Sequence, residues 1–382
     1  MPQRPRDRKQ RILVAAADLF AAEGFDQVPV SRIAAAVEIT PGALYRHYAG
    51  KEDLLAAVLL DHGDRMLAAA EGDLPLDELL ERQAAEAARL PALGVLWARE
   101  LRHLGPEARG PIVERTRVAN QRYATALRTA RPDLSGTDAE LVAWALESVL
   151  VSTSDRVRGL REAELAETLA AVCGAVARVD LPSAVASYDA PPSPLRPVSK
   201  RENLLVEAGR LFGERGYQAT SLADVGKAVG LTGPGVYSHF ASKEELVAAA
   251  LERAYHAAWL DLHAALGASA TPGEALGLLV ASYVGFAHRQ PFLVTSLVSD
   301  PSGPTGDWVR RQREYVAEWD ALLAAHRPEL DAGRVHVLVR AAMTTVGNLA
   351  RMRAQATRPT FRAEAIAIAT AVLTSPVHHP AS

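Results

Sequence analysis

Residues 20–54 read FAAEGFDQVPVSRIAAAVEITPGALYRHYAGKEDL, and residues 212–246 read FGERGYQATSLADVGKAVGLTGPGVYSHFASKEEL. The two stretches align without a gap at an offset of 192 residues, so that Tyr45 pairs with Tyr237 and Lys51 with Lys243. Each copy has the pattern of a short helix, a tight turn and a second helix, which is typical of a helix-turn-helix that places its second helix in the DNA major groove. One chain therefore carries two copies of this element, and the copies differ.

Local signals define the second helix of each copy and the turn before it. Thr40 is a suitable N-cap, and Pro41 suits the first helical position, where no amide donor is needed. In the second copy, Gly230 is the expected turn residue because glycine accepts positive φ without a steric penalty. Glu38 stands at the matching place in the first copy. We therefore predict that the first turn is strained or slightly different.

Composition limits the class of protein. The net charge of −3 means that any DNA affinity must come from a local basic surface. The single cysteine, Cys173, excludes an internal disulfide and fits a reducing cytoplasm. Because no run approaches the roughly 18–20 apolar residues of a membrane span, we expect a soluble, cytoplasmic protein. Sequence motifs for a nucleophile elbow, a phosphate-binding glycine loop or a zinc protease are missing, so we predict no enzyme activity, no cofactor and no metal site.

Apolar periodicity predicts helices through almost the whole chain, nine in each half. Those in the first half lie near 8–22, 30–36, 41–47, 52–71, 76–90, 93–104, 108–130, 137–156 and 162–178. Those in the second half lie near 199–213, 222–228, 233–239, 243–266, 273–289, 292–299, 305–326, 331–353 and 361–375. Between the halves, the proline-rich stretch 180–197 is predicted to be an extended linker.

Several short motifs in the two copies resemble those of a known protein family. Both halves resemble the amino-terminal domain of TetR-family regulators. In the first half the resemblance lies in EGF at 23–25, TPGALYRHY at 40–48 and Lys51. In the second half it lies in RGY at 215–217, TSLADV at 220–225, LTGPGVYSHF at 231–240 and SKEEL at 242–246. The match covers about 50–60 residues in each half, and the carboxy-terminal parts agree only in helix number and length. The resemblance implies an all-α fold of two tandem TetR-like modules, each a helix-turn-helix domain followed by a helical ligand-binding and dimerisation body.

The implied domains have the following limits. The first helix-turn-helix domain is residues 6–66 with its motif at 29–48, and the first regulatory domain is 67–179. The second helix-turn-helix domain is 198–258 with its motif at 221–240, and the second regulatory domain is 259–376. Helices eight and nine of two TetR subunits normally pack as a four-helix bundle. We therefore expect the two halves to form an intramolecular pseudo-dimer.

The resemblance also implies which residues contact DNA. In the first half these are Thr40, Pro41, Gly42, Tyr45, Arg46, His47 and Lys51. In the second half they are Thr220, Ser221, Thr232, Gly233, Gly235, Tyr237, Ser238, His239 and Lys243. The tyrosines, histidines and lysines would hold phosphates, which position a protein without reading sequence. Arg46 could either pair with a guanine or hold a phosphate.

The first copy departs from the family pattern at Val28, Pro29 and Val30, where a hydroxyl usually caps the support helix. We expect fewer phosphate contacts there. A basic arm before the first helix could compensate by following the DNA backbone, or could be a disordered terminus; its residues are Arg4, Arg6, Arg8, Lys9 and Arg11.

A small, lipophilic effector is expected between helices four to eight of each half. Candidate contacts in the first half are Trp97, His103, Tyr123, Trp144 and Ser148, and in the second Tyr255, Trp259, Tyr283, Phe286 and Phe292. Ordinary core packing is the competing interpretation for each of them.

The sequence thus predicts a ligand-responsive transcription repressor that binds an asymmetric double-stranded operator as a monomeric pseudo-dimer, with further homo-dimerisation possible. The alternative is a ligand-binding or scaffolding TetR-like protein in which the first motif no longer reads DNA and a true dimer is needed.

Overall fold

The fold was obtained as a computed structural model, which describes residues 5–91, 94, 96–153, 159–183, 197–215, 217, 219–294 and 306–377. Within these ranges all regular elements are helices, and none of them is long and apolar enough to span a membrane. The chain divides into two compact units, one drawn mainly from residues up to Arg178 and the other mainly from Val179 onwards. Most of the predicted linker, residues 184–196, lies outside the described residues.

The first half contains eight α-helices and one irregular segment among its described residues. The α-helices are α1 Pro5–Glu23, α2 Val30–Ala36, α3 Pro41–Tyr45, α4 Lys51–Ala69, α5 Leu76–Arg89, α6 Pro106–Ala130, α7 Gly136–Leu150 and α8 Glu162–Ala177. Between α5 and α6, a π-helical turn, Leu96–Glu100, runs into a 3-10 turn, Leu101–His103.

The second half follows the same order through its described residues. Its helices are α9 Lys200–Arg215, α10 Leu222–Ala228, α11 Gly233–Tyr237, α12 Lys243–Gly267, α13 Pro272–Arg289, α14 Gly306–His326, α15 Ala332–Arg351, the short α16 Arg353–Ala356, and α17 Phe361–Leu373. Residues 291–294 are helical, but the rest of the helix predicted at 292–299 lies outside the described part of the chain.

In the first unit a small apolar core holds α1 to α4 together. Phe20, Ile33, Leu44 and Leu54 are completely buried in it, each from a different helix. Burying large apolar side chains from all four helices supplies the stability that such short helices lack on their own. This core fixes the positions of α2 and α3, which form the helix-turn-helix.

The remaining helices of the first unit form a body of packed helices. α5 packs on α8, and α6 packs on both α4 and α7. At the centre, Gln83 donates from Nε2 to the carbonyl oxygen of Met66 at 2.8 Å and accepts from the Tyr123 hydroxyl at 2.8 Å. A buried amide with both partners present fixes the register of these helices. Because α4 also belongs to the apolar core around α3, it connects the body with the helix-turn-helix.

Two predicted helices differ from the structure. The helix expected at 93–104 is the irregular π and 3-10 segment, and the helix expected at 137–156 ends at Leu150. A Cβ atom on Gly94 would collide with the carbonyl oxygen of Val151, so the two backbones touch at a point that only glycine permits. This backbone contact lies where the two predicted helices are absent from the structure. The residues that form it are far apart in the chain, so local apolar periodicity could not predict it.

Candidate nucleic-acid interface and regulatory cavity

We call residues 29–48 the first head and residues 221–240 the second head. The turn between the two helices of each head is held by equivalent backbone hydrogen bonds. In the first head, the amides of Val37, Glu38 and Ile39 donate to the carbonyls of Ala34, Ala35 and Ala34 at 3.3, 3.1 and 3.0 Å. In the second, Val229, Gly230 and Leu231 donate to Gly226, Lys227 and Gly226 at 3.1, 3.2 and 2.9 Å. Despite the different residues, the two turns therefore have the same conformation.

Glu38 adopts the same left-handed backbone as Gly230 in this turn. The φ angle is 58° at Glu38 and 72° at Gly230, and Glu38 is the one non-glycine residue with positive φ in the described ranges. A side chain in this region crowds the following carbonyl, which costs roughly 1–2 kcal/mol. The prediction of a strained first turn is confirmed, whereas a different turn geometry is not found.

The recognition helices, α3 and α11, also match. Leu44 and Val236 each donate to the preceding threonine carbonyl at 3.3 Å, and His47 and His239 each donate one turn back at 2.9 Å. The Thr40 hydroxyl accepts from the amide of Ala43, as an N-cap should, whereas Thr232 makes no side-chain cap. Both heads thus present a short second helix whose first residues are small.

Several of the residues predicted to contact DNA are exposed on these helices. Tyr45 and Tyr237 expose 53% and 61% of their surface, unusually much for tyrosine. Arg46 is exposed as well, and Ser238 at the equivalent position donates its hydroxyl to the carbonyl of Gly235 at 2.8 Å. Thr40, Pro41, Gly42 and His47 are exposed, and His239 and Gly235 are half-buried. Arg46 is consequently free to reach a groove, whereas Ser238 is tied to its own helix.

Lys51 and Lys243 are each tied to the loop before the support helix. The Lys243 ammonium donates to the carbonyls of Tyr217 and Thr220 at 2.9 and 3.1 Å and lies 3.9 Å from the centre of the Tyr217 ring. The Lys51 ammonium reaches the carbonyl of Asp26 at 3.4 Å and lies 4.4 Å from the centre of the Phe25 ring. Cation–π contact and hydrogen bonding together hold α4 and α12 against these loops.

The support helices differ at their N-caps. Ser221 caps α10 by accepting from the amide of Asp224, and the Asp224 carboxylate accepts in return from the amide of Ser221 at 2.9 Å. Pro29 in the first head makes no side-chain cap for α2, as the sequence predicts. Thr220 was expected at the DNA surface but is completely buried, and its hydroxyl donates to the carbonyl of Leu211 at 3.4 Å. A side chain in that position cannot reach a phosphate.

The basic arm is described only in part. Arg8, Lys9 and Arg11 are exposed on the first turns of α1. Arg4 and the side chain of Arg6 lie outside the described residues. The described half of the arm therefore belongs to a helix.

A cavity of about 30 Å³ lies in the body of the first unit, between α4, α6, α7 and the π-helical turn. Among the residues predicted to bind an effector in this unit, Trp97 lines it. Tyr123 is a core residue bonded to Gln83, and Ser148 donates to the carbonyl of Trp144 at 2.8 Å. The core-packing interpretation therefore describes Tyr123 and Ser148 better.

His103 lies at the junction with the first head. Its ring stacks on Phe25 at 4.6 Å between centroids, and its Nε2 lies 3.3 Å from the buried carboxylate of Glu100. Because Phe25 also lies under Lys51, this stack joins the irregular segment of the body to the loop before α2. His103 is thus placed to position the first head, and the sequence pattern did not indicate this.

Two further residues line this cavity that no sequence pattern had indicated, His62 on α4 and Glu147 on α7. Burial lowers the pKa of His62 to about 4, with a further contribution from Arg65, and burial raises the pKa of Glu147 to about 7. One signal could have revealed Glu147, because it is the one charged residue in the largely apolar run 141–150.

In the second unit, the predicted effector residues pack against other aromatic rings. Tyr255 meets Trp259 edge-on at 6.0 Å, Tyr283 meets Trp319 at 5.5 Å, and Phe292 meets Phe212 at 5.2 Å. Phe286 is half-buried on α13. Such pairs are the arrangements that aromatic side chains adopt in a core.

Comparison with known proteins agrees with this geometry. The family described as "Bacterial regulatory proteins, tetR family" matches residues 12–58 and again 204–250. The chain is 30% identical to the HTH-type transcriptional repressor KstR2 of Mycolicibacterium smegmatis, over 40% of this chain and 79% of that protein. It is 34% identical to KstR2 of Mycobacterium tuberculosis, over 37% of this chain and 76% of that protein.

A solved structure of the ketosteroid transcriptional regulator KstR2 of Mycobacterium tuberculosis is 26% identical in sequence. The match covers 38% of this chain and 80% of the KstR2 chain. Its TM-score of 0.34 is too low to support a structural argument. Both of these sequence relatives are transcription repressors. With two matches to the DNA-binding domain and this similarity over most of a relative's length, the chain belongs to the TetR family of bacterial transcription regulators and carries that family's DNA-binding domain twice.

Proposed function

We propose that this protein represses transcription by binding a double-stranded DNA operator through both heads, and that a small, lipophilic effector releases it. The observation that carries the proposal is the matching backbone of the two heads, in which Glu38 is held in the left-handed conformation of Gly230. Because both turns hold their recognition helices in the same way, both heads are equipped to enter a major groove. In the alternative, the first head is only a scaffold and a true dimer is needed.

The proposed DNA contacts are the exposed side chains of the recognition helices. Tyr45, His47 and their counterparts Tyr237 and His239 would hold phosphates and set the orientation of each head. Lys51 and Lys243 would act mainly by fixing the loops beside them, given their contacts with loop carbonyls. A helix N-terminus with small first residues also suits close approach to phosphate.

The reading positions of the two heads differ, so the proposed operator is asymmetric. Arg46 can form a bidentate pair with guanine, which is the commonest specific contact in the major groove. The Ser238 hydroxyl donates to its own helix, so at the equivalent position of the second head it has little to contribute to a base contact. On the sequence repeat alone, we further propose that one chain replaces a symmetric dimer, with half-sites about one helical turn apart. Binding to chromosomal DNA would place the protein in the cytoplasm.

The proposal is tested with DNA selected from random duplexes by the wild-type chain. Tyr45→Ala and Tyr237→Ala should each weaken binding tenfold or more in fluorescence anisotropy, because each removes a hydrogen bond to a charged phosphate that contributes about 1.5–3 kcal/mol. Val113→Ala is the matched control, since Val113 is an exposed apolar residue of the body. If Tyr45→Ala binds as wild type while Tyr237→Ala fails, the first head does not contact DNA and the alternative function is correct.

A further inference from the structure

The cavity in the first unit has apolar walls and a small number of polar groups. The apolar lining consists of Leu59, Met66, Trp97, Ile112, Ala119 and Val151. The polar lining comes from three different helices, with His62 on α4, Arg115 and Thr116 on α6, and Glu147 on α7. What the cavity can bind depends on which of these polar groups still lacks a partner.

Two of the polar groups already have partners. Arg115 donates from Nε to the carboxylate of Asp64 at 2.6 Å and from a second nitrogen to the carbonyl of Pro111 at 3.0 Å. Thr116 donates its hydroxyl to the carbonyl of Ile112 at 3.4 Å. The charge of Arg115 is therefore compensated within the protein.

Glu147 is different. Its Oε2 atom is shielded from solvent and has no hydrogen-bond partner in the part of the chain that the structure describes. Burying a carboxylate oxygen without a donor is unfavourable, and a bound cation or donor would remove this penalty. His62 stays neutral because its pKa is lowered to about 4, so it does not supply the missing positive charge.

We propose that this cavity binds the ammonium group of an aliphatic amine, with Glu147 as the acceptor and Trp97 and the apolar walls against the alkyl part. The inference rests on the proposed function, because it assigns a chemical class to the effector. A carboxylate ligand is disfavoured at this place, since its charge would face Glu147. A neutral alcohol could donate one hydrogen bond but would gain no attraction between opposite charges.

The volume restricts how the ligand enters. A cavity of about 30 Å³ holds little more than one water molecule, so the ammonium head fits while the alkyl chain has to displace lining side chains. Met66 is unbranched and adapts its shape at low cost. Short amines are therefore the appropriate probes.

The binding should depend on pH. Burial raises the pKa of Glu147 to about 7, so the carboxylate is mostly protonated at pH 6 and mostly ionised at pH 8. Three other titratable groups that face it keep one charge state in this range, because the pKa of His62 is lowered to about 4 and burial raises the pKa of both Tyr123 and Cys173. Arg115 is held in its ion pair with Asp64. An alkylamine remains protonated throughout, so its affinity should rise about tenfold from pH 6 to pH 8.

The experiment is isothermal titration of the full-length protein with hexylamine, hexanoate and hexanol at pH 6 and pH 8. We expect hexylamine at pH 8 to bind at least tenfold more tightly than hexanoate. Glu147→Gln should weaken hexylamine binding tenfold or more and remove its pH dependence. Glu140→Gln is the matched control, an exposed glutamate on the same helix, and should bind as wild type.

Binding of hexanoate as tightly as hexylamine, retention of hexylamine binding in Glu147→Gln, or no binding of any probe would each overturn the proposal. If Glu147→Gln does not fold, Glu147→Asp keeps the charge and should retain the preference for hexylamine over hexanoate. Failure of the proposed function can be distinguished from failure of the amine-binding proposal. DNA binding is measured without amine, and the Tyr45→Ala and Tyr237→Ala variants should bind hexylamine as wild type does.

Discussion

Glu38 occupies a backbone conformation that its counterpart Gly230 adopts at no steric cost. The two turns share their hydrogen bonds, so the surrounding helices impose the left-handed φ on Glu38 rather than relaxing around it. The side chain is exposed and contributes nothing to the core. The first head therefore stores strain that the second head does not have.

Glu38→Gly should raise the free energy of unfolding by about 0.5–1 kcal/mol, because the relief of the left-handed strain exceeds the extra chain entropy of glycine. The urea midpoint of the first unit measures this. Glu38→Ala is the control, since it removes the same carboxylate but keeps the Cβ atom. Equal stabilisation by both variants would trace the effect to charge instead of backbone strain.

Glu147 and His62 give the first unit opposing pH dependences. The pKa of Glu147 is raised to about 7, so the folded state binds an extra proton between about pH 4.5 and 7 and loses that stability as pH rises. The pKa of His62 is lowered to about 4, so the folded state lacks a proton that the unfolded state binds below about pH 6.5. The two contributions largely cancel between these limits.

Glu147→Gln removes one side of this balance. Relative to wild type, the variant should gain on the order of 2 kcal/mol of stability between pH 5 and pH 8, since the amide carries no buried charge. Thermal or urea unfolding at several pH values measures the difference. For Glu140→Gln, the difference in the free energy of unfolding from wild type should not change with pH. If the difference for Glu147→Gln is also independent of pH, Glu147 is solvated.

At the scale of elements, the support helices α2 and α10 have the same length but different starts. Ser221 and Asp224 satisfy each other's backbone amides at the start of α10, whereas Pro29 leaves α2 without a side-chain cap. Such short helices depend on caps and on packing, because seven residues cannot nucleate a stable helix alone. α2 therefore relies more on its buried residues Ile33 and Ala34.

Ser221→Ala should lower the free energy of unfolding of the second unit by about 1 kcal/mol, the usual effect of losing an N-cap hydroxyl. Ser31→Ala, at an exposed position in the first turn of α2, is the matched control and should be nearly neutral. Chemical denaturation of both variants decides the matter. Comparable losses would show that the cap on α10 adds no stability.

At the scale of the whole molecule, the offset of 192 residues gives one chain both of the heads that a symmetric regulator obtains from two subunits. The residues at the proposed reading positions then differ within one covalent chain. If the proposed function is correct, a half-site that suits Arg46 need not suit Ser238, and the two ends of the operator can differ in sequence.

The complex of one chain with its selected DNA should have one 40.8 kDa protein per duplex, measured by light scattering with size-exclusion chromatography. Turning the whole duplex round exchanges the two half-sites without changing the DNA, so binding should stay the same. Any other exchange of the half-sites should change binding. An operator made into a perfect palindrome should bind more weakly. Two chains per duplex, with equal affinity for the palindrome, would instead support the alternative of a true dimer.

Local sequence patterns were sufficient to predict the all-helical class, both heads, the N-cap at Thr40 and the strained position of Glu38. These features depend on residues within a few positions of one another, where φ preferences and capping hydrogen bonds act directly. Three-dimensional packing buries Thr220 and holds Lys51 and Lys243 against loops. It also places Glu147 in a cavity with His62, where its Oε2 atom has no hydrogen-bond partner among the described residues. The environments of Glu147 and His62 are set by side chains tens of residues away along the chain, and desolvation by such neighbours leaves no periodic signal in the sequence.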